Sequence, residues 1–334
     1  MPHQEDLWHI QPGERGYIRI PVTVDLGGHE ILLPIHVMRG STPGPVVTML
    51  ACLHGDEWLS VEILRRVLDR VDHQVLRGAL LAIPVANPAA FALSKRITPD
   101  DSDMPDLNRA FGSPWNWMSE QIGRKLADEI FTRSDVLLDF HTLGWGSAFG
   151  VVIIGNDSPD EALNRRTDEL ARAFGYPMIY AGPRDLRTAT GYASAVGVVG
   201  LAVEIGGAGF GQEYEDRWVE ENVACTFNLL RYLEMLPGDV QKPARYYYWG
   251  RRWRVSPSRG GYLHSFVEPD RLLGGVAAGE LLGEVRSAFT LNVIEELRAP
   301  ADGLLYCIAR SYPVRPGGWA FGVADMETLR IVED

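Results

Sequence analysis

In GPVVTMLACLHGDE, residues 44–57, an apolar run from Pro45 to Leu53 is followed at once by a cluster of polar and ionisable groups. A run of this kind, opened by Gly44, reads as a buried strand. Beyond it the period changes: Val61, Leu64, Val67, Leu68 and Val71 recur at three- and four-residue steps, which predicts a helix with one buried face. ALLAIPVA (79–86), VLLDF (136–140), VVIIG (151–155) and GLAVEIG (200–206) read as further buried strands. Ile122, Leu126 and Ile130, and later Val223, Phe227 and Leu230, mark further helix faces. The alternation predicts an α/β fold, a mixed, largely parallel sheet with helices on both faces. YIRIPVTV and ILLPIHVM, separated by Gly27 and Gly28, give residues 1–40 a β-rich lead-in. Near Pro237 and Gly238 the helical pattern stops. From about Trp253 to Asp334 short strand-like pieces predict a small β-domain, so the chain divides into residues 1–240 and 241–334.

Of the 334 residues, 46% are hydrophobic and 23% charged, the make-up of a globular protein with room for one large domain and one small one. The net charge of −12 argues against a nucleic-acid partner, which needs a basic stripe. A few arginines inside a pocket can still bind an anionic small molecule. The opening residues, MPHQEDLWHI, have no basic segment leading into an apolar run, and no run approaches the ~20 residues of a membrane span. Neither a secretory signal nor a membrane partner is expected. Cys52, Cys225 and Cys307 cannot all pair, and none stands in a C-x-x-C arrangement. That predicts a reduced, cytoplasmic compartment.

In an open α/β sheet, ligands gather at the carboxyl ends of the strands. His54 and Glu57 follow the first strand, three residues apart, and His141 in DFHT (139–142) ends another. Two histidines and one glutamate from two strand ends make up the ligand set of a hydrolytic zinc site with an open position. H-x-x-E alone equally suits a polar strand-to-helix cap, and a lone histidine suits a core; the three placements together favour the metal. Glu204, among Val203, Ile205 and glycines, is expensive to bury unpaired. It is a structural acceptor, an ion-pair partner or a proton-transferring base beside the metal. Asn108 and Arg109, in DLNRAF (106–111), follow Arg96 through a loop rich in Pro and Asp. The guanidinium fork of arginine suits a carboxylate. Arg109 has a competing partner in Asp100, Asp101, Asp103 or Asp106.

Taken together, residues 44–57, Asn87-Pro88, DLNRAF (106–111), DFHT (139–142) and VEIG (203–206) resemble the succinylglutamate desuccinylase/aspartoacylase family, a branch related to the zinc carboxypeptidases. The resemblance spans roughly residues 30–334. It implies a zinc carboxypeptidase-like fold and one zinc ion per chain, held by His54, Glu57 and His141. It further implies Glu204 as general base and acid, Asn108 and Arg109 on the substrate's α-carboxylate, and Arg96 on the scissile carbonyl. The implied reaction is cleavage of the amide of a small N-acyl amino acid by metal-activated water. No residue matches the further arginine and late tyrosine that aspartoacylases set on the acyl-side carboxylate. Residues 241–334 resemble a small lipoyl- or biotinyl-like β-barrel, but no lysine follows Lys242, so it cannot carry such a cofactor. Two rivals stay open: a zinc carboxypeptidase acting on small peptides, and a non-catalytic metal- or ligand-binding protein on the same scaffold. A homo-oligomer is compatible with all three.

Overall fold

A computed structural model of the chain describes residues 9–99 and 106–333. The lead-in is a hairpin of β1 (Arg15–Val24) and β2 (Glu30–Arg39), followed by β3 (Thr42–Leu50), α1 (Leu59–Arg70), β4 (Arg77–Ile83) and the short α2 (Pro88–Ala92). Then come α3 (Met118–Glu129), β5 (Val136–Trp145), β6 (Ser147–Gly155), α4 (Glu161–Phe174), β7 (Met178–Gly182), α5 (Ala189–Ala195), β8 (Val199–Ala208) and α6 (Gln212–Tyr232). The remaining strands are β9 (Arg245–Tyr248), β10 (Arg252–Val255), β11 (Gly261–Ser265), β12 (Gly275–Val276), β13 (Leu281–Arg286), β14 (Val293–Arg298), β15 (Gly303–Ala309), β16 (Tyr312–Val314), β17 (Phe321–Asp325) and β18 (Arg330–Glu333).

The strands at the middle of the main sheet, β4-β3-β5-β8, run parallel, and antiparallel strands flank them on both sides. Val47, Thr48, Met49 and Leu50 are all fully buried, as expected of a strand covered on both faces. Alternation then sorts the side chains. Met49, Leu138, Phe140, Val203 and Ile205 join one core with residues of α1, α4 and α6, while Leu50 and Leu137 join a second with residues of α3 and α5. On α1 the buried face is Leu59, Ile63, Leu64 and Val67; Val61 and Leu68, which share the periodicity, lie half-buried at its margin. The short α5 has no apolar stripe to announce it. Apart from Tyr192 its residues are small, and Thr188 caps it by accepting from the Gly191 N–H.

The C-terminal strands do not stand apart from this sheet. β15 pairs with β6, through Cys307 opposite Phe149, and β17 and β10 continue outward from β15. A second, four-stranded antiparallel sheet, β14-β13-β11-β16, shares a core with them through Leu263, Leu282, Val285, Leu305 and Phe321. Where a small barrel is expected from the sequence, the strand pairing gives this second sheet laid against an extension of the first. All three cysteines are buried and unpaired. Among the described residues no helix is long and apolar enough to cross a membrane.

Candidate active site

The loop after β3 owes its course to close packing. Cys52 adopts a φ of 48°, a left-handed conformation that costs a non-glycine residue energy. At Gly55 a Cβ would lie 2.1 Å from the backbone of Ala90 in α2, so only glycine permits the loop to lie this close. Asn87 fastens α2 in turn, accepting from the Ala90 N–H and donating to Thr98. The loop thereby carries His54 and Glu57 over His141, which the structure places inside β5 rather than at its end, two residues past Asp139, where the pairing of β5 with β3 stops.

His54, Glu57 and His141 are each about 2% exposed, and one ligand atom from each lies within 4.8 Å of the others. Both imidazoles turn Nδ1 toward Glu57: His54 Nδ1 is 2.8 Å from Oε1 and His141 Nδ1 is 2.8 Å from Oε2. Each Nε2 has its own carboxylate, Asp106 at 3.0 Å for His54 and Asp139 at 3.0 Å for His141. Burial by itself would push the Glu57 carboxyl up, but the charges and hydrogen bonds of the two histidines outweigh it and hold it below the usual carboxylate range. For His141, burial opposes the charged ring, and the Asp139 and Glu57 carboxylates override it. The donor set fits a divalent metal. It has two nitrogens and a carboxylate, all buried, and each histidine is oriented by a second carboxylate, as metal-binding imidazoles usually are.

In the parallel pairing of β5 and β8, Glu204 lies directly beside His141. Its Oε2 is buried with no hydrogen-bond partner among the described residues. Burial raises its pKa, and the nearby Glu57 charge adds to that, against a lowering by His141. A carboxyl with a free oxygen beside the three-residue cluster has what a proton carrier requires.

Asn108 sits in a single turn at Leu107–Arg109 that Asp106 caps through the Asn108 N–H. Its Nδ2 lies 3.3 Å from His141 Nε2, and its Oδ1 accepts from Ala189 at the start of α5. Arg96 contacts the cluster itself, Nη1 at 3.4 Å from Glu57 Oε1 and Nη2 at 3.3 Å from Asp106 Oδ2. Arg109 has an ion pair of its own. It is about half exposed and pairs with Asp185 at 3.7 Å rather than with Asp106. Its other expected partners, Asp100, Asp101 and Asp103, lie outside the described residues.

His141, Glu204, Asn108 and Arg109 open into one cavity of about 310 Å³. Its walls are α5 (Thr190, Gly191, Ser194), the sheet face at Ala202 and Ile153, and, farther out, Tyr180, Arg184 and Arg252. Sequence reasoning assigns no role to Asp139, Asp185 or Arg252, and offers Asp106 only as an ion-pair partner for Arg109. For Asp139 a signal existed, since D-x-H on a strand puts both side chains on one face. Arg252 had none, because its approach depends on a pairing between distant strands.

Residues 43–233 match the family model for the succinylglutamate desuccinylase/aspartoacylase catalytic domain. Across 314 residues, covering 90% of this chain and 87% of its relative, the sequence is 25% identical to N-alpha-acetyl-L-2,4-diaminobutyric acid deacetylase of Halomonas elongata. The fold is similar to that of a succinylglutamate desuccinylase/aspartoacylase from Rhodobacter sphaeroides, with a TM-score of 0.78, 23% identity and coverage of 96% of each chain. It is also similar to the ectoine utilization protein EutE (DoeB) of Ruegeria pomeroyi, at a TM-score of 0.79 and 21% identity, covering 94% of this chain and 95% of that one.

Proposed function

The chain belongs to the succinylglutamate desuccinylase/aspartoacylase family, and on that premise we propose that it is a zinc-dependent deacylase that hydrolyses the amide of a small N-acyl amino acid. One observation carries the reading: a buried His-Glu-His set stands beside a buried carboxyl with a free oxygen, at the head of a cavity of small-molecule size. His54, Glu57 and His141 would hold the metal. Zinc bound there would supply the Lewis acidity that activates water and polarises the scissile carbonyl. Glu204 takes a proton from the attacking water and delivers it to the departing amine nitrogen, one group serving both steps. Asn108 and Arg109 bind the substrate's α-carboxylate, with Arg109 exchanging Asp185 for the ligand. Arg96, held over the cluster by Glu57 and Asp106, is placed to stabilise negative charge developing on the carbonyl oxygen.

The curated relative's name, a deacetylase of an N-acetyl amino acid, supports this reaction class. The decisive experiment loads the full chain with zinc, measures metal content, and follows amine release from N-acyl amino acids and from dipeptides side by side. About one zinc per chain with turnover of the N-acyl amino acids is expected. Cleavage confined to dipeptides would make it a carboxypeptidase, and zinc without any turnover would make it a binding protein.

A further inference from the structure

The cavity extends well past the groups that the reaction needs. Glu204 on β8 lies opposite Val151 on β6, Ala202 opposite Ile153, and Ile153 in turn beside Tyr180 on β7. Paired residues on neighbouring strands share a face, so this register lays a floor that runs sideways across three strands. Two strand spacings, about 10 Å, separate β8 from β7. At the far end stands Arg252, on β10, a strand anchored in the C-terminal segment by its pairing with β17.

The other two arginines of the cavity are matched. Arg109 pairs with Asp185 at 3.7 Å, and Arg184 with Asp157 at 3.1 Å. Arg252 faces no carboxylate among the described residues; its guanidinium lies 4.9 Å from the centroid of Tyr180 and 5.7 Å from that of Trp249. Rings that hold a guanidinium by its face leave the N–H fork at its edge available. We propose that Arg252 selects the distal group of the substrate, admitting a carboxylate or a similar acceptor there and rejecting an amine. The selection works both ways. An acceptor gains a charge-assisted hydrogen bond, whereas a cation meets like charge at the cavity's exposed end. With the reacting carbonyl at the metal end, a side chain of roughly three to five atoms brings its terminal group within the arginine's reach, given the strand spacing.

This inference rests on the deacylase reading, and its test separates the two. Three N-acetyl amino acids of similar size serve as probes for the zinc-loaded full chain: N-acetylglutamate, N-acetylnorvaline and N-acetyl-2,4-diaminobutyrate. In the wild type, kcat/KM is expected to fall in that order, with the carboxylate at least about 10-fold above the neutral probe, as for a hydrogen bond to a charged group. Arg252→Gln should bring the glutamate-to-norvaline ratio close to one, and Arg252→Glu should invert the order of the charged probes. Ratios taken between substrates within one preparation are insensitive to partial misfolding of a variant. Hydrolysis of none of the three by the wild type overturns the deacylase reading and this inference with it. Hydrolysis of norvaline with the same substrate order in wild type and Arg252→Glu overturns the role of Arg252 alone.

Discussion

Asp139 stands two residues before His141 on β5, fully buried, with Oδ2 3.0 Å from the histidine's Nε2. It does not line the cavity, so what it does must act through the ring. A carboxylate on Nε2 fixes the imidazole's orientation and strengthens Nδ1 as a donor to a metal. Asp139→Asn, nearly equal in shape, is therefore expected to weaken zinc binding by about 10–100-fold. Competition with a chelator of known affinity measures that loss, and an unchanged affinity would assign Asp139 to packing alone. Glu204 should behave oppositely. Glu204→Gln keeps shape and hydrogen bonding but cannot carry the proton, so kcat should fall by roughly 10²–10⁴ while zinc content and KM stay near the wild-type values. Should the variant lose zinc and keep its activity per bound zinc, Glu204 is a structural carboxylate and the proton must travel by another group. Asp56, whose Oδ1 is also buried and without a partner among the described residues, would be next.

At the scale of elements, what is buried could be read from the sequence and what is assembled could not. The strands at 136–140 and 200–206 were legible because burial on both faces forces continuous apolar runs, and the cluster of His54, Glu57 and His141 because ionisable residues directly follow those runs. α5 was not, since Ala189, Gly191 and Ala193 pack by being small rather than by recurring at a helical period. The contact between α1 and α6 was equally hidden, because its residues are 150 or more positions apart. There Arg66 on α1 reaches Glu220 and Asp216 on α6 as well as Glu62 on its own helix, and Arg70 also binds Glu220. Hydrogen bonds from Arg65 and Arg66 hold the Glu62 carboxyl down to about 2, and those from Arg70 and Arg66 do the same for Glu220. A depressed folded pKa gives stability that is complete above the unfolded value, about 4.3, and is lost as pH falls toward 2. The carboxylates around Arg66 are a third to a half exposed, so solvent screens the network and its worth is small, on the order of 1 kcal/mol. Arg66→Met should thus unfold slightly earlier at pH 7 and show a shallower decline in Tm between pH 4.5 and 2.5 than the wild type. Parallel Tm curves for the two proteins would mean that the seam contributes no linkage.

Taken as a whole molecule, the chain changes its pattern near Pro237, which reads as a boundary between domains, yet the pairing of strands crosses it. β15 hydrogen-bonds to β6, the strand that lies beside β8 and Glu204, and β9 pairs with β7. Phe149 of β6 packs its ring against Tyr306 of β15 and Trp319, at centroid distances of 5.9 and 5.2 Å. The non-local pairing that brings Arg252 to the cavity belongs to the same continuity, which no local pattern in a sequence can reveal. Interfaces between domains that merely touch leave each free to unfold at its own midpoint. Two segments that share a sheet lose ladder hydrogen bonds and a common core together, so we expect them to unfold as one unit. Leu305, fully buried on β15 in the core shared with the second sheet, is the place to test this. Leu305→Ala should cost about 2–5 kcal/mol, the usual range for emptying a packed leucine site. In urea, the far-UV signal, the near-UV signal of the aromatic cluster and the loss of deacylase activity should all move to lower concentration together, with one midpoint and an unchanged slope. Were the substitution to split the transition, with activity surviving the first step, the C-terminal segment would be an independent domain. The sheet continuity between β6 and β15 would then be a contact the catalytic part does not need.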